Sequence, residues 1–305
     1  MNNEIIEDLE KIIDKSKIKI NEPMKLHTTF QVGGPASFFI SPTANEEVRN
    51  LVSFLKDEKI PFYIIGNGSN LLVSDKGYDG VIIEIGEAFS EITLKEDGVI
   101  FAGAGASLKD ISEFACENNL AGFEFASGIP GSLGGATVMN AGAYDGEMKD
   151  VLDSVLVLDD KNEIRWISHD NLELGYRTSV ISKNGYVSLG ARLKLLNGDK
   201  ESIRKHIDEL TDKRRSKQPL EYPSAGSTFK RPVGHFAGKL IQESGMQGET
   251  FGGAMVSTKH AGFVINYNNA TASDVYNLII KVKKKVLETS GVNIEPEVKM
   301  LGEFN

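Results

Sequence analysis

The sequence predicts a globular protein of mixed α and β structure, of α+β or α/β class, divided into two or three domains. Three observations carry that expectation. The chain has 305 residues, more than one hydrophobic core usually serves. Apolar runs of strand length alternate with segments of helical period. A strand, a helix and further strands follow one another early in the chain.

Taken in order, residues 1–19 are charged throughout and place Ile5, Leu9, Ile12 and Ile13 on one helical face. Thr43-x-x-Glu46 is a capping-box candidate, and Val48, Leu51, Val52 and Leu55 recur at helical spacing, which predicts a helix over 44–58. Phe62 to Ile65 reads as a buried strand, and Gly66 to Asn70 as a turn. Leu71 to Val73 and Val81 to Ile85 read as strands. Glu91 to Leu94 and Val99 to Ala102 are strand-like, and Ser107-x-x-Asp110 can cap a helix carrying Leu108, Ile111, Phe114 and Ala115. Residues 128–142 are the richest glycine stretch. Strands at 151–158 and 186–196 flank a loop that holds Arg177. Glu201 to Lys217 is amphipathic, with Ile203, Ile207 and Leu210 inside, and ends in the basic cluster Lys213, Arg214, Arg215 and Lys217. A short helix near 236–243, a strand at 262–267, a last helix capped by Ser273 and closed by Gly291, and a strand near 293–300 complete the chain. Domain boundaries are expected near 86 and 200.

A formal charge of -9 argues against a nucleic-acid-binding surface. The N-terminal segment has no apolar core of signal-peptide length, and no run approaches the roughly 18 apolar residues of a membrane span. Cys116 is the single cysteine, and the five histidines lack metal-ligand spacing. The expectation is a cytoplasmic protein without a metal, a nucleic-acid partner or a membrane partner.

Glycine placement narrows the chemistry. Gly66-x-Gly68 follows a strand, but a dinucleotide fingerprint of the Rossmann type needs a third glycine at 71, where Leu71 stands. Gly103-x-Gly105 fails at Leu108, and Gly234-x-x-x-Gly238-Lys239 is one residue short of a phosphate loop. Gly66 to Asn70 and Gly128 to Gly135 remain as loops that can offer backbone N–H groups to an anion. Two such loops point to a cofactor bearing a pyrophosphate. Arg177, Ser227 and Glu297 add a cation, a hydroxyl and a carboxylate, each in a turn-rich string.

Six strings in order resemble the UDP-N-acetylenolpyruvoylglucosamine reductase (MurB) family of flavoenzymes, in its shorter, second-type form. They are His27-Thr28-Thr29-Phe30 with Gly33-Gly34-Pro35-Ala36, Gly66 to Leu72, Gly128 to Ser132 through Asn140 to Tyr144, Gly175-Tyr176-Arg177, Ser224 to Ser227, and Glu295 to Val298. The resemblance spans about residues 20–303. It implies an α+β fold: a two-part FAD-binding module of the vanillyl-alcohol-oxidase (PCMH) type plus a C-terminal α+β substrate-binding domain. The parts would be 1–86, joined by a returning strand at about 297–305, then 87–200, then 201–296. It implies non-covalent FAD, NADPH as co-substrate, and reduction of UDP-N-acetylglucosamine-enolpyruvate to UDP-N-acetylmuramate in peptidoglycan precursor synthesis. FAD would be held by Gly66, Asn67, Gly68, Ser69, Asn70, Gly128, Pro130, Gly131, Ser132, Gly135, Asn140, Ala141 and Gly142. Arg177 would stabilise charge on the substrate carboxylate, Ser227 would donate the proton, and Glu297 would work with Arg177. Lys217 and Lys230 are candidates for the UDP diphosphate. Tyr176 is assigned to the nicotinamide or sugar face, or to packing. The alternatives are an FAD-dependent oxidase of a small alcohol or sugar on the same fold, and a sugar-nucleotide-binding protein without flavin.

Overall fold

The computed structural model describes residues 3–304, so Met1, Asn2 and Asn305, the ends of the expected first and last segments, lie outside the described residues. The fold is α+β. Most strand pairing is antiparallel, and helices intervene between strands along the whole chain. One sheet has four strands, in the order Ile18–Pro23, Pro35–Ile40, Tyr78–Glu84 and Phe62–Ile65. The chain divides into two compact units, and neither is a single stretch of sequence.

The first unit comprises the chain up to Lys19, Phe38–Asn67 and Gly80–Arg214. It contains two apolar cores on opposite faces of an antiparallel five-stranded sheet. The strand order is Ile164–Ser168, Leu152–Leu158, Val187–Lys194, Val99–Gly103, Ile92–Leu94. Val155 and Val157 enter one core with Ala191 and Leu193, while Leu158, Val187 and Leu189 enter the other. A strand buried on both faces reads as an unbroken apolar run, as Val155 to Leu158 does. Helix Asn45–Asp57 covers one core with Val48, Leu51, Val52 and Leu55, the four positions its period selects. Helix Leu108–Glu117, capped by Ser107 as expected, covers the other. Gly103 and Gly105 have a packing reason: a Cβ would lie 2.1 Å from the Phe89 carbonyl oxygen and 1.9 Å from that of Gly86.

The second unit comprises Ile20–Ser37, Gly68–Asp79 and the chain from Arg215 onward. Helix Ala272–Ser290 buries Val275, Leu278, Ile279, Val282 and Val286 against Phe30, Val32, Leu72, Ile241 and Val264. A three-stranded antiparallel sheet runs Thr250–Phe251, Ala254–Val256, Val264–Asn266. Lys299–Leu301 pairs in parallel with Leu71–Val73.

Several local expectations are corrected. Ala44, not Thr43, is the N-cap of its helix, and Thr43 instead donates its N–H and hydroxyl to Glu47. Thr271 and Asp274 form the capping box of the last helix, while Ser273 lies inside it. The glycine stretch contains helix Leu133–Met139. Strands Ile18–Pro23 and Pro35–Ile40 were hidden by charged residues and by the flanking Gly33 and Gly34. The last strand shrinks to Lys299–Leu301, while Pro296 forms an isolated antiparallel bridge with Phe229.

Ser273 has a different partner. The Asp75 carboxylate accepts from Ala272 N (2.8 Å), Ser273 N (2.8 Å) and Ser273 Oγ (2.6 Å). These are N–H groups that no helix can satisfy internally, at its positive end. Asp75→Ala is expected to destabilise the protein by about 1–2 kcal/mol in urea unfolding, and an unchanged midpoint would remove this role.

Candidate active site

The two glycine loops meet. Gly66 follows strand Phe62–Ile65, and a Cβ there would lie 2.2 Å from the hydroxyl of buried Ser132 in the second loop. The contact is possible only because residue 66 has no side chain. Gly68 takes φ +57, and a Cβ on it would lie 1.9 Å from the His27 carbonyl oxygen. That explains why His27-Thr28-Thr29 accompanies this loop. Thr29 N donates to Gly68 O at 3.3 Å. Asn67 is exposed, and Ser69 and Asn70 are half-buried.

In the second loop, Gly128 carries the Arg214 side chain against it, with Cδ 2.8 Å and Nη1 3.4 Å from where a Cβ would stand. Pro130 and Gly135 are exposed, Gly131 is half-buried, and the Gly131 carbonyl accepts from Leu108 N at 3.1 Å. Burial lowers the Arg214 pKa, and no carboxylate pairs with it among the described residues. A hydroxyl where the two loops approach one another and a cation beside the second fit a pyrophosphate-bearing group such as FAD.

Asn140, Ala141 and Gly142 have another geometry. The Asn140 side chain is directed to protein: Nδ2 donates to Glu147 Oε2 (2.7 Å) and Gly175 O (3.1 Å), and Oδ1 accepts from Lys149 N (2.8 Å). Ala141 is buried, and Gly142 pairs with Glu147 in a short hairpin.

Ser227 and Glu297 are brought together within the second unit. Thr228, next to Ser227, donates its N–H to Gly262 O (2.8 Å) and accepts on its carbonyl from Glu297 N (2.8 Å). Its hydroxyl accepts from Val264 N (2.9 Å). Ser227 is exposed, whereas Glu297 is only 9% exposed. Asn70 joins this network, since Nδ2 donates to Glu297 O (3.3 Å) and its carbonyl accepts from Lys299 N (3.0 Å). Lys230 reaches Glu295 at 3.5 Å in an exposed pair, and Lys217 is exposed at the end of its helix.

Arg177 belongs to the first unit. It is the second central residue of a turn closed by Gly175 N to Thr178 O (3.1 Å) and Thr178 N to Gly175 O (3.2 Å). Its φ is +55, a left-handed conformation that costs a non-glycine residue roughly 1 kcal/mol. Its Nε is buried, and its guanidinium lies 5.5 Å from the exposed Tyr176 ring.

Two residues beyond the expected site lie beside it. Arg214, from the basic cluster, is half-buried and continues the series Ile203, Ile207, Leu210 on the buried side of helix Lys200–Lys217. His260 has no such signal in the sequence. Its Nδ1 accepts from Gly262 N (3.0 Å), and burial lowers its pKa, favouring the neutral ring. A Cβ at Gly262 would lie 3.1 Å from that nitrogen and 3.5 Å from Ser227 Oγ, so this glycine lets the ring and the serine hydroxyl share space. A surface cavity lined by Lys11, Arg49, Phe54 and Lys161 includes none of these residues.

Gly66→Ala should sharply weaken FAD binding, measured by flavin fluorescence of the reconstituted apoprotein, because its Cβ would meet the Ser132 hydroxyl. Wild-type affinity in Gly66→Ala would dissociate the two loops.

Comparison with known proteins gives the family. Residues 36–168 match the FAD binding domain family, and residues 218–301 match the C-terminal domain of UDP-N-acetylenolpyruvoylglucosamine reductase. A UDP-N-acetylenolpyruvoylglucosamine reductase of Caldanaerobacter subterraneus subsp. tengcongensis is 50% identical over 299 residues, 98% of either chain. The crystal structure of UDP-N-acetylenolpyruvylglucosamine reductase (MurB) from Thermus caldophilus is similar with a TM-score of 0.79 at 34% identity, covering 93% of this chain and 98% of that one. The glucose dehydrogenase Phl p 4.0202 shares the fold alone, with a TM-score of 0.52 at 13% identity over 65% of this chain and 45% of its own. Half of the residues are identical along nearly the full length of a curated relative, and the chain belongs to the UDP-N-acetylenolpyruvoylglucosamine reductase family.

Proposed function

We propose that the protein reduces the enolpyruvyl ether of UDP-N-acetylglucosamine-enolpyruvate to the lactyl ether of UDP-N-acetylmuramate, with NADPH as the electron source, in peptidoglycan precursor synthesis. One observation carries the reading. The side-chain amide of Asn70, in the first glycine loop, donates to the Glu297 carbonyl, and Glu297 N donates to the carbonyl of Thr228, the residue after Ser227. The proposed cofactor loop and the candidate proton donor are therefore joined by one short hydrogen-bonded chain.

FAD, held without a covalent bond, supplies the two-electron store between NADPH and the alkene. The protein holds and orients. Gly66 to Asn70 and Gly128 to Ser132, with Gly135, are assigned to that cofactor, and Arg214 is placed to face its negative charge. Asn140, Ala141 and Gly142 are assigned to the same cofactor, Asn140 through its backbone, since its side chain bonds to protein. Lys217 and Lys230 are assigned to the UDP diphosphate and Tyr176 to the sugar or nicotinamide face. The parts 1–86 with 297–305, 87–200 and 201–296 are proposed as the two FAD-binding subdomains and the substrate domain. The proposed setting is the cytoplasm, where NADPH and UDP-sugars are held.

Addition of hydride to the alkene carbon β to the substrate carboxylate delocalises negative charge from the α carbon onto that carboxylate. Arg177 is assigned to it, because a planar guanidinium can bind both oxygens and gains more from the developing charge than from the ground state. The adjacent carbon becomes strongly basic, so the weakly acidic Ser227 hydroxyl suffices to protonate it. Glu297 is assigned to the same carboxylate, where it orients its partner or holds a proton.

The test is the visible spectrum under anaerobic conditions. Flavin bands should bleach with NADPH and return when UDP-N-acetylglucosamine-enolpyruvate is added. Oxygen consumption driven by a small alcohol or sugar, without such recovery, would favour an oxidase. Ser227→Ala should keep the bleaching and slow recovery roughly 100-fold or more. Arg177→Lys, which retains charge but loses the fork, should slow recovery by on the order of tenfold. Recovery at the parent rate in either variant would remove that residue from the site.

A further inference from the structure

We propose that Asn140 is a positioning residue for Arg177, acting by locking the turn that carries it. The proposal rests on the reading of Arg177 as the cation at the substrate carboxylate. Arg177 sits at φ +55 in a turn of four residues, and a strained conformation of this kind persists only where its surroundings fix it from several sides. The turn closes on itself through Gly175 and Thr178. Two further bonds bracket it. Asn140 Nδ2 donates to the Gly175 carbonyl (3.1 Å), and Ser179 Oγ donates to the Val138 carbonyl (2.6 Å). Val138 and Asn140 both lie at the C-terminal end of helix Leu133–Met139, which grows out of the second glycine loop. The arginine turn is therefore fastened at both ends to one short segment of that loop region.

The anchor is itself rigid. Asn140 is 1% exposed, and it takes the left-handed conformation (φ +47) as the C-cap of its helix. Its other amide hydrogen goes to Glu147 Oε2 and its oxygen accepts from Lys149 N, so the amide plane is set by three partners. Glu147 is held in turn, donating its N–H to Asp150 Oδ2 at 2.9 Å. Only a side chain with adjacent donor and acceptor atoms can meet the Glu147 carboxylate, the Gly175 carbonyl and the Lys149 N–H together. Aspartate at 140 would offer acceptors to two acceptors.

A double-mutant cycle on the FAD-loaded protein tests the proposal, with bleaching by NADPH and recovery with substrate followed separately by stopped flow. Asn140→Ala is expected to slow recovery by roughly tenfold, far more than it slows bleaching. In an Arg177→Ala background the same substitution should change recovery by less than about twofold. The FAD dissociation constant, read by fluorescence, should move little. If both single variants are slow and their effects multiply in the double variant, Asn140 acts elsewhere and the proposal falls. Equal slowing of bleaching and recovery, or a large loss of FAD affinity, would make Asn140 a cofactor residue and also overturn it. Recovery at the parent rate in Arg177→Ala would instead refute the reading of Arg177, a distinguishable failure. Should Asn140→Ala not fold, Glu147→Gln replaces it, because it loosens the amide without touching the turn. The expected slowing is smaller, and again it should disappear in the Arg177→Ala background.

Discussion

The second unit is organised around the backbone of Thr228. This fully buried residue bonds Gly262 through its N–H, Glu297 through its carbonyl and Val264 through its hydroxyl. Three strings separated by tens of residues are thereby set side by side. An unsatisfied buried amide or carbonyl would cost about 1–3 kcal/mol, so the register of these strands is strongly specified. Ser227, one residue earlier, is exposed by this placement while its neighbour is buried. Exposure of the hydroxyl and fixation of its backbone are two results of the same pairing. Asn70 extends the network to the first glycine loop through Glu297 and Lys299.

Glycine does comparable work in the first unit by letting backbones and side chains approach. At Gly66 the missing Cβ admits the Ser132 hydroxyl, and at Gly128 it admits the Arg214 side chain. At Gly103 and Gly105 the beneficiary is only a neighbouring carbonyl. The same residue type thus serves the loops proposed for the cofactor and plain packing. Spacing alone did not separate the two uses, although the failure of each pair to match the Rossmann pattern was already informative.

Elements with a strong local period were legible. Val48, Leu51, Val52 and Leu55, and likewise Ile203, Ile207 and Leu210, fall on the buried sides of their helices. Capping residues were less so, because Thr43 and Ser273 are as suited to caps as the residues that do cap, and tertiary partners such as Asp75 decide between them. The pairing of Leu71–Val73 with Lys299–Leu301 has no local signature at all. Nor does the convergence of Gly66 on Ser132, which depends on sheet topology. The quoted strings identify the family, yet the three amide partners of Asn140, from which its positioning role is proposed, have no signature in them.

In the proposed site, Arg214 would be a group whose benefit appears only on binding. Its guanidinium loses hydration beside Gly128, burial lowers its pKa, and no carboxylate offsets that loss among the described residues. Placing a cation there is unfavourable for the protein alone and favourable once an anion arrives, when the interaction acts in a partly dry environment. Such a residue shifts free energy from the folded protein to its complex. By linkage, a ligand that binds the folded state stabilises it in proportion to its affinity, so a cost carried by the empty loop is recovered by the loaded one. The glycine at 128 permits this placement: a Cβ there would stand 2.8 Å from Arg214 Cδ, so a larger residue would have to displace that side chain.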